Sequence, residues 1–210
     1  MNLPNVKSEE QRAHWDLKYE QGLPSLTEPD PFFIWAYEKF VPQSSPQKGM
    51  ALDLAGGVGR HALWLASRNW EVTVVDLSDV AIRKLTQSAR EHNVKLDLLV
   101  GDASDYKFEP ARFDLILLFY HLDRSLFPKI VFALKPGGLL ICKMSLRWKS
   151  DGMSTAAGTS PLEKNELPTL IPDLHILHHR ERPVRDRGVA EFVGRKSENA
   201  GESSGEVSAP

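Results

Sequence analysis

The chain has little of several features that mark particular classes of protein. Its 210 residues include one cysteine, Cys142, so no intrachain disulfide can form, and a reducing compartment is expected. No apolar run approaches the length of a membrane span, and residues 1–20 are too polar for a signal peptide. We therefore expect a cytoplasmic protein with no membrane partner.

Charge of one sign is not in excess either. The 26 basic and 28 acidic residues give a formal net charge of −2, and the basic residues are scattered along the chain. Because a nucleic-acid surface needs a concentrated positive field, no nucleic-acid partner is expected. The length fits a single domain, which we place at residues 1–196 and expect to be a monomer or a weak homodimer. Residues 197–210 hold one large apolar side chain, Val207, and predict a disordered tail.

What the sequence does contain is a predicted strand, glycine-rich turn and helix within residues 52–66, LDLAGGVGRHALWLA. The strand is apolar except for Asp53, and it is broken by Gly56, Gly57 and Gly59 before apolar residues recur at helical spacing. Glycine allows a tight turn that lies against a ligand, and the first N–H groups of the helix carry partial positive charge. This order predicts a nucleotide-cofactor site where the strand ends.

Two cofactors fit the spacing of this turn. Gly57, Gly59 and Ala62 satisfy the dinucleotide fingerprint, and Asp76 follows Gly57 by 19 residues, where a ribose-binding acid belongs. Asp53 favours S-adenosylmethionine, because a carboxylate beside the turn repels a pyrophosphate and attracts an ammonium and a sulfonium. S-adenosylmethionine is therefore the predicted cofactor. An NAD-linked oxidoreductase and a module that binds S-adenosylmethionine without transferring its methyl group are the alternatives.

Strands and helices alternate after the turn, which is typical of a parallel sheet covered on both faces. We expect an α/β fold with a doubly wound, mostly parallel seven-stranded sheet and a C-terminal antiparallel hairpin. Its predicted strands are residues 51–55, 72–75, 96–100, 113–119, 139–143, 174–180 and 189–194. The predicted sections are an N-terminal helical cap at 8–40, a cofactor-binding core at 49–145, a mobile loop at 146–160, and a C-terminal helix and hairpin at 161–196. A capping box at Ser160 predicts that the late helix begins there.

These motifs resemble the class I S-adenosylmethionine-dependent methyltransferase family, whose glycine loop is acid-x-Gly-x-Gly-x-Gly. Asp53, Gly57 and Gly59 match the loop, and Ala55 replaces its first glycine. The resemblance is closer to the branch that contains the tellurite-resistance and thiopurine methyltransferases, through HWDLKY at 14–19, FDLI at 113–116, LKPGG at 134–138 and GVAEFVGRK at 188–196. Lys18 stands where that branch commonly has an arginine, and an ammonium cannot make the forked contact of a guanidinium with a carboxylate. The resemblance implies a Rossmann-like fold and methyl transfer from S-adenosylmethionine.

Acidic side chains at three successive strand ends define the predicted cofactor site. Ligands of an open α/β sheet bind beyond the carboxyl ends of its strands, where the strand order reverses. Asp53 and the turn would hold the methionine part, Asp76 would accept from both ribose hydroxyls, and Asp102 would face adenine. The predicted cofactor-binding residues are Asp53, Ala55, Gly56, Gly57, Gly59, Asp76, Leu77, Asp102, Ala103 and Phe119.

Tyr120 and His121 follow the fourth predicted strand, where donor and acceptor meet in this fold, and they are the candidate catalytic residues. An imidazole titrates near neutrality, so His121 could take a proton from the acceptor. The chain lacks the (Asp/Asn)-Pro-Pro-aromatic string of nucleic-acid amino-methyltransferases at this place, which favours a small-molecule acceptor. The candidate acceptor-binding residues are Trp15, Tyr19, Arg124 and Arg147.

No metal site is predicted. His178 and His179 are neighbours in a predicted strand and point to opposite faces, and His175 would lie about 13 Å from His179. The predicted function is transfer of a methyl group to a small oxygen, sulfur, nitrogen or chalcogen-oxyanion nucleophile by in-line displacement. Catalysis would come mainly from positioning the two reactants.

Overall fold

The computed structural model describes residues 6–22, 27–41, 49–148, 161–184 and 187–198. Two helices, α1 (Val6–Glu20) and α2 (Pro31–Phe40), precede the sheet. The elements that follow are β1 (Met50–Leu54), α3 (Arg60–Ala66), β2 (Glu71–Asp76), α4 (Asp79–Glu91), β3 (Asp97–Val100), a 3₁₀ turn (Ala103–Asp105), β4 (Phe113–Phe119), α5 (Leu126–Ala133), β5 (Leu134–Leu146), α6 (Glu166–Thr169), β6 (Leu174–Val184) and β7 (Arg187–Lys196). Across these ranges, no helix has both the length and the apolar character needed to cross a membrane.

The seven strands form one sheet in the order β3-β2-β1-β4-β5-β7-β6. The first five strands of the chain pair in parallel, and β7 runs antiparallel to both of its neighbours, β5 and β6. The predicted fold class is therefore confirmed, including the C-terminal hairpin. The chain leaves β1 toward β2 and β3, then returns to the other side of β1 as β4, so the strand order reverses between β1 and β4. This is the position where open α/β sheets bind ligands.

Both faces of the sheet are buried at its centre, which explains why β4 is almost continuously apolar. On one face Ala51, Leu117 and Ile141 pack against α2 and α3. On the other face Leu52 and its neighbours pack against α5. Cys142 in β5 has no exposed surface and forms no disulfide, as the sequence predicted, and burial raises the pKa of its thiol. Asp53 is the one polar side chain of β1, so its burial in this strand needs an explanation.

The structure corrects the sequence prediction in the segment after β5. β5 extends to Leu146, so the residue predicted to begin a mobile loop belongs to the sheet. The helix predicted to begin at Ser160 begins instead at Glu166 and is four residues long. Leu162 is fully buried and forms a parallel bridge with Leu146, its N–H donating to the carbonyl of Ser145 at 3.1 Å. The backbone at Leu162 is thus bonded to the sheet, which excludes a helix there. Residues 149–160 and 199–210, the rest of the predicted loop and tail, lie outside the described residues.

Candidate cofactor and active site

A cavity of about 180 Å³ lies beyond the carboxyl ends of β1 and β4, where the strand order reverses. Its walls come from α1, the glycine turn, the start of α3, and the segments that follow β2, β3 and β4. The lining residues are Gln11, Trp15, Tyr19, Asp53, Ala55, Gly56, Gly57, Val58, Arg60, His61, Val75, Asp76, Leu77, Asp102, Ala103, Phe119, Tyr120, His121 and Leu122. All the predicted cofactor-binding residues except Gly59 are among them. Gly59 is instead the N-cap of α3.

The glycine turn places bare backbone against the cavity. Gly57 has a φ of +59°, and a Cβ atom added there would lie 2.5 Å from the hydroxyl of Tyr19. Gly59 has a φ of +75°, and a Cβ there would collide with Leu85. Both positions therefore require glycine for conformation and for space. Ala55, which replaces the first glycine of the family loop, also adopts a positive φ of +52°. The turn thus keeps its shape at the cost of some backbone strain in one alanine.

Asp76, at the end of β2, links the turn to the start of α4. Its Oδ2 accepts a hydrogen bond from the N–H of Gly57 at 2.7 Å, and its Oδ1 accepts one from the N–H of Ser78 at 2.8 Å. Burial raises the pKa of this carboxyl, although both hydrogen bonds oppose that shift. A carboxylate oxygen has two acceptor positions, so each oxygen of Asp76 can still accept from a ligand hydroxyl.

Asp53, on β1 at the centre of the sheet, has a buried carboxyl group. The residue is 1 % exposed, and within the described residues its Oδ2 has no hydrogen-bond partner. Burial raises the pKa of the carboxyl to about 7, although the positive charge of Arg60 and a hydrogen bond from the N–H of Ala62 act to lower it. A buried carboxylate oxygen without a partner is costly unless a ligand satisfies it. Because Asp53 lines the cavity, a hydrogen-bond donor of a ligand could satisfy this oxygen, and a positively charged donor would also favour the ionised carboxylate.

Asp102 and Ala103 form the third acidic strand end. Asp102 caps the 3₁₀ turn that follows β3, and its Oδ1 accepts from the N–H of Ser104 at 2.9 Å. Both residues line the cavity. They follow β3, which β2 separates from β1, the strand of Asp53. The three acids therefore meet in one cavity because parallel strands end at the same edge of the sheet.

Tyr120 and His121 lie directly after β4 and line the cavity. Tyr120 has a φ of +58°, a strained conformation for an aromatic residue, and its N–H donates to the carbonyl of Lys143 at 2.7 Å. The Nε2 atom of His121 is buried and has no hydrogen-bond partner in the described parts of the chain. Burial lowers the pKa of His121, against the opposing effect of Asp102, Asp123 and Asp76. A neutral imidazole of this kind can accept a proton.

The predicted acceptor-binding residues separate into two groups. Trp15 and Tyr19, four residues apart on α1, line the cavity. Arg124 and Arg147 do not line it. The guanidinium of Arg124 forms a two-point ion pair with Glu166, at 2.5 and 3.0 Å, and Arg147 pairs with Glu163 at 2.7 Å. These arginines hold the segment around α6 and are not positioned to contact an acceptor in this cavity.

Sequence reasoning missed Arg60 and His61, which begin α3 and line the cavity. His61 is 2 % exposed, its Nε2 accepts from the N–H of Asp30 at 3.2 Å, and burial lowers its pKa. The available signal was their place directly after the glycine turn, since the first turn of that helix faces the ligand. Lys18, discussed above for its place in the N-terminal motif, lies over the ring of Trp15 at 4.6 Å and is not a lining residue.

The histidines of β6 do not form a metal site. His178 packs against the ring of Trp35 with centroids 4.7 Å apart, and His179 lies 3.4 Å from Glu181. Within the ranges that the structure describes, no group of three or more histidine, cysteine, aspartate or glutamate side chains could hold a metal ion.

Comparisons with known proteins agree with this geometry. Residues 51–138 match a family model described as a methyltransferase domain. The chain is 30% identical over 99 residues to the 23S rRNA (uracil(747)-C(5))-methyltransferase of Pyrococcus abyssi, covering 42% of this chain and 23% of that protein. It is 34% identical over 116 residues to the ubiquinone/menaquinone biosynthesis C-methyltransferase UbiE of Rubrivivax gelatinosus, covering 52% of this chain and 44% of that protein. The chain thus spans less than half the length of either relative.

Among solved structures, TehB from Haemophilus influenzae superposes with a TM-score of 0.68 at 17% identity, covering 89% of this chain and 67% of that one. At this identity the likeness shows the fold. The match over residues 51–138, the glycine turn and the strand order together support a class I S-adenosylmethionine-dependent methyltransferase domain, the class predicted from the motifs.

Proposed function

We propose that the chain binds S-adenosylmethionine in this cavity and transfers its methyl group to a small-molecule nucleophile, an oxygen, sulfur, nitrogen or chalcogen oxyanion. The observation that carries the proposal is the buried Oδ2 of Asp53 beside the glycine turn, which no described residue satisfies with a hydrogen bond. A pyrophosphate, as in NAD, would place negative charge against this carboxyl, whereas an ammonium would satisfy it.

Each cavity acid has a part of the cofactor to which its chemistry is suited. Asp53 would hold the ammonium, and Asp76 would accept from the ribose hydroxyls while it remains bound to Gly57 and Ser78. Asp102 and Ala103 would lie against adenine, with Leu77 packed beside them. S-adenosylmethionine supplies a methyl group activated by a positively charged sulfur. The protein is therefore required mainly to align the reactants, which can contribute on the order of 7–11 kcal/mol.

Tyr120 and His121 are the residues for the acceptor side of the reaction. They follow β4, next to Phe119, and line the same cavity as the glycine turn. His121 would remain neutral near pH 7 because burial lowers its pKa, so its Nε2, which has no hydrogen-bond partner among the described residues, could take the proton that the acceptor loses. Trp15 and Tyr19 would complete the wall around the acceptor.

The charge balance of the chain favours a small acceptor over RNA. The net charge is −2, whereas phosphate binding requires a concentration of lysine and arginine. Arg124 and Arg147, which flank this end of the molecule, are already paired with glutamates. The P. abyssi relative acts on ribosomal RNA, so RNA belongs in the test as a competing acceptor.

Calorimetric titration and a turnover assay test the proposal. We expect S-adenosylmethionine to bind with micromolar or tighter affinity and NADH to show no binding. Methyl-labelled cofactor should then label at least one member of a panel of thiols, phenols, amines and chalcogen oxyanions, and should leave ribosomal RNA unlabelled. Binding of NADH in place of S-adenosylmethionine would refute the cofactor assignment. Labelled RNA with no labelled small molecule would refute the acceptor class, and binding without any transfer would indicate a non-catalytic module.

The raised pKa of Asp53, about 7, makes cofactor binding dependent on pH. Below this value the carboxyl is mainly protonated and neutral, and it ionises as the pH rises, so its attraction for an ammonium increases. We expect the affinity for S-adenosylmethionine to rise roughly fivefold to tenfold between about pH 6 and pH 7.5. Titrations in buffers of different ionisation enthalpy should show a proton released on binding. The Asp53→Asn variant should bind weakly at every pH; an unchanged pH profile in this variant would contradict the assignment.

A further inference from the structure

Helix α1 forms one wall of the cavity. Gln11, Trp15 and Tyr19 recur every four residues on its cavity-facing side. The hydroxyl of Tyr19 lies over Gly57, so close that a Cβ atom on that glycine would be 2.5 Å away. A cofactor that fills this cavity would therefore lie against α1.

Helix α1 contacts the rest of the molecule through one small apolar cluster and a few polar groups. Of the α1 side chains whose burial is described, Tyr19 is the buried one, and it packs with Val80 and Ala81 of α4. Asp16 accepts hydrogen bonds from the hydroxyl of Ser78 at 2.5 Å and from the N–H of Val80 at 3.3 Å. Lys84 donates to the carbonyl of Tyr19. Because few groups attach α1, the loss of one polar contact should weaken its docking.

Ser78 connects this attachment directly to the cofactor site. Its hydroxyl donates to Asp16 and accepts from the N–H of Ala81 at 3.1 Å, which caps α4. Its own N–H donates to Oδ1 of Asp76 at 2.8 Å, and Oδ2 of Asp76 accepts from Gly57. Ser78 thus bonds both to Asp16 of α1 and to Asp76, the carboxylate suited to the ribose.

We propose that Asp16 is a positioning residue that couples the docking of α1 to cofactor binding, through Ser78 and Asp76. This inference rests on the proposed S-adenosylmethionine site. Bound cofactor would fix Asp76 and Ser78 and so strengthen the contact with Asp16, and a docked α1 would in turn hold Trp15 and Tyr19 against the cofactor. Such coupling is reciprocal: the factor by which bound cofactor raises the equilibrium constant for α1 docking equals the factor by which docked α1 raises the affinity for cofactor.

The test is the Asp16→Ala variant, measured by calorimetry and hydrogen exchange on the full chain. We expect it to bind S-adenosylmethionine about five- to twentyfold more weakly than the wild type. In the wild type, cofactor should slow amide exchange both in the glycine turn and in α1. In the variant at saturating cofactor, the slowing should persist in the turn and be lost in α1. A purely structural role would not separate these two segments.

Asp79→Ala is the matched control, because Asp79 is also a carboxylate at the start of α4 but pairs with Arg83 on the same helix. It should bind cofactor and protect α1 like the wild type. In a double-mutant cycle, Asp16→Ala and Ser78→Ala should be non-additive, because they remove the two ends of one hydrogen bond. Wild-type affinity in Asp16→Ala, or full α1 protection in it, would overturn the coupling. Failure of the wild type to bind S-adenosylmethionine would instead refute the proposed function.

Discussion

Replacing Asp76 with alanine is expected to weaken S-adenosylmethionine binding by about a hundredfold or more. The change removes the acceptor for the ribose hydroxyls, and it also leaves the N–H groups of Gly57 and Ser78 without a partner. A hydrogen bond to a charged group contributes about 1.5–3 kcal/mol, so loss of two ligand contacts and a loosened turn accounts for this factor. Calorimetric titration of the folded variant measures it directly.

Asp114→Ala is the control for this experiment. Asp114 is also a carboxylate on a strand of the sheet, half-buried where Asp76 is buried, and it accepts from the N–H of Met50 at 2.8 Å and from Lys135 at 2.7 Å. It lies at the opposite end of the sheet, where β1 and β4 begin. The control should lose some stability and keep its cofactor affinity. Equal losses of affinity in both variants would mean that Asp76 acts through general stability and does not contact the ribose.

The parts of the fold that follow from local pattern were predictable from the sequence. The apolar runs of β1 and β4 indicate strands buried on both faces. The glycine turn ends β1 and reverses the direction of the chain before α3 begins. Ser78 is the N-cap of α4, serine is one of the residues that favour this position, and its hydroxyl accepts from the N–H of Ala81. The segment around Leu162 was not predictable, because its bridge to Leu146 is a tertiary contact that overrides a local capping signal.

In the candidate site, the convergence of the three acids was predictable from the sequence, whereas the distant polar partners of other side chains were not. Parallel strands bring Asp53, Asp76 and Asp102 to one edge, so their convergence follows from strand order alone. Arg124 was predicted to bind the acceptor because of its place in a loop after a strand, but it pairs with Glu166, which lies 42 residues away and has no local signature. The partner that fixes the Nε2 of His61 is also distant, the N–H of Asp30, 31 residues earlier, although the place of His61 directly after the glycine turn was a local signal. Long-range polar partners decide which side chains face a cavity, and periodicity does not reveal them.

A buried ionic group is joined to His61 through Asp30, and it contributes to the stability of the fold. Lys143 of β5 contacts both oxygens of Asp30 at 3.0 and 3.1 Å and lies 3.4 Å from Glu191, which in turn pairs with Arg182 at 2.7 Å. Burial works to lower the pKa of Lys143, but Tyr120, Asp30 and Glu191 outweigh it and raise the pKa. Asp30 also caps α2 through the N–H of Phe32. The group therefore holds the start of α2, and with it the wall that contains His61.

Replacing Lys143 with methionine is expected to lower the free energy of unfolding by about 3–5 kcal/mol, because the carboxylate of Asp30 remains buried without its cation and Glu191 keeps Arg182 alone. The Lys143 side chain is 8% exposed, so water cannot compensate. Urea unfolding followed by circular dichroism gives the value. Lys135→Met is the matched control, since the ion pair of Lys135 with Asp114 is 38% and 36% exposed and should be worth less than about 1 kcal/mol.

A second substitution shows whether the loss comes from stranded charge or from lost packing. Adding Asp30→Asn to Lys143→Met removes one uncompensated carboxylate, and asparagine can still cap α2 through its side-chain oxygen. If stranded charge is the cause, the double variant should recover part of the lost stability, on the order of 1–2 kcal/mol. If it is less stable than the single variant, Lys143 contributes through packing of its aliphatic chain, and the buried ion pair is not what fixes α2 against the sheet.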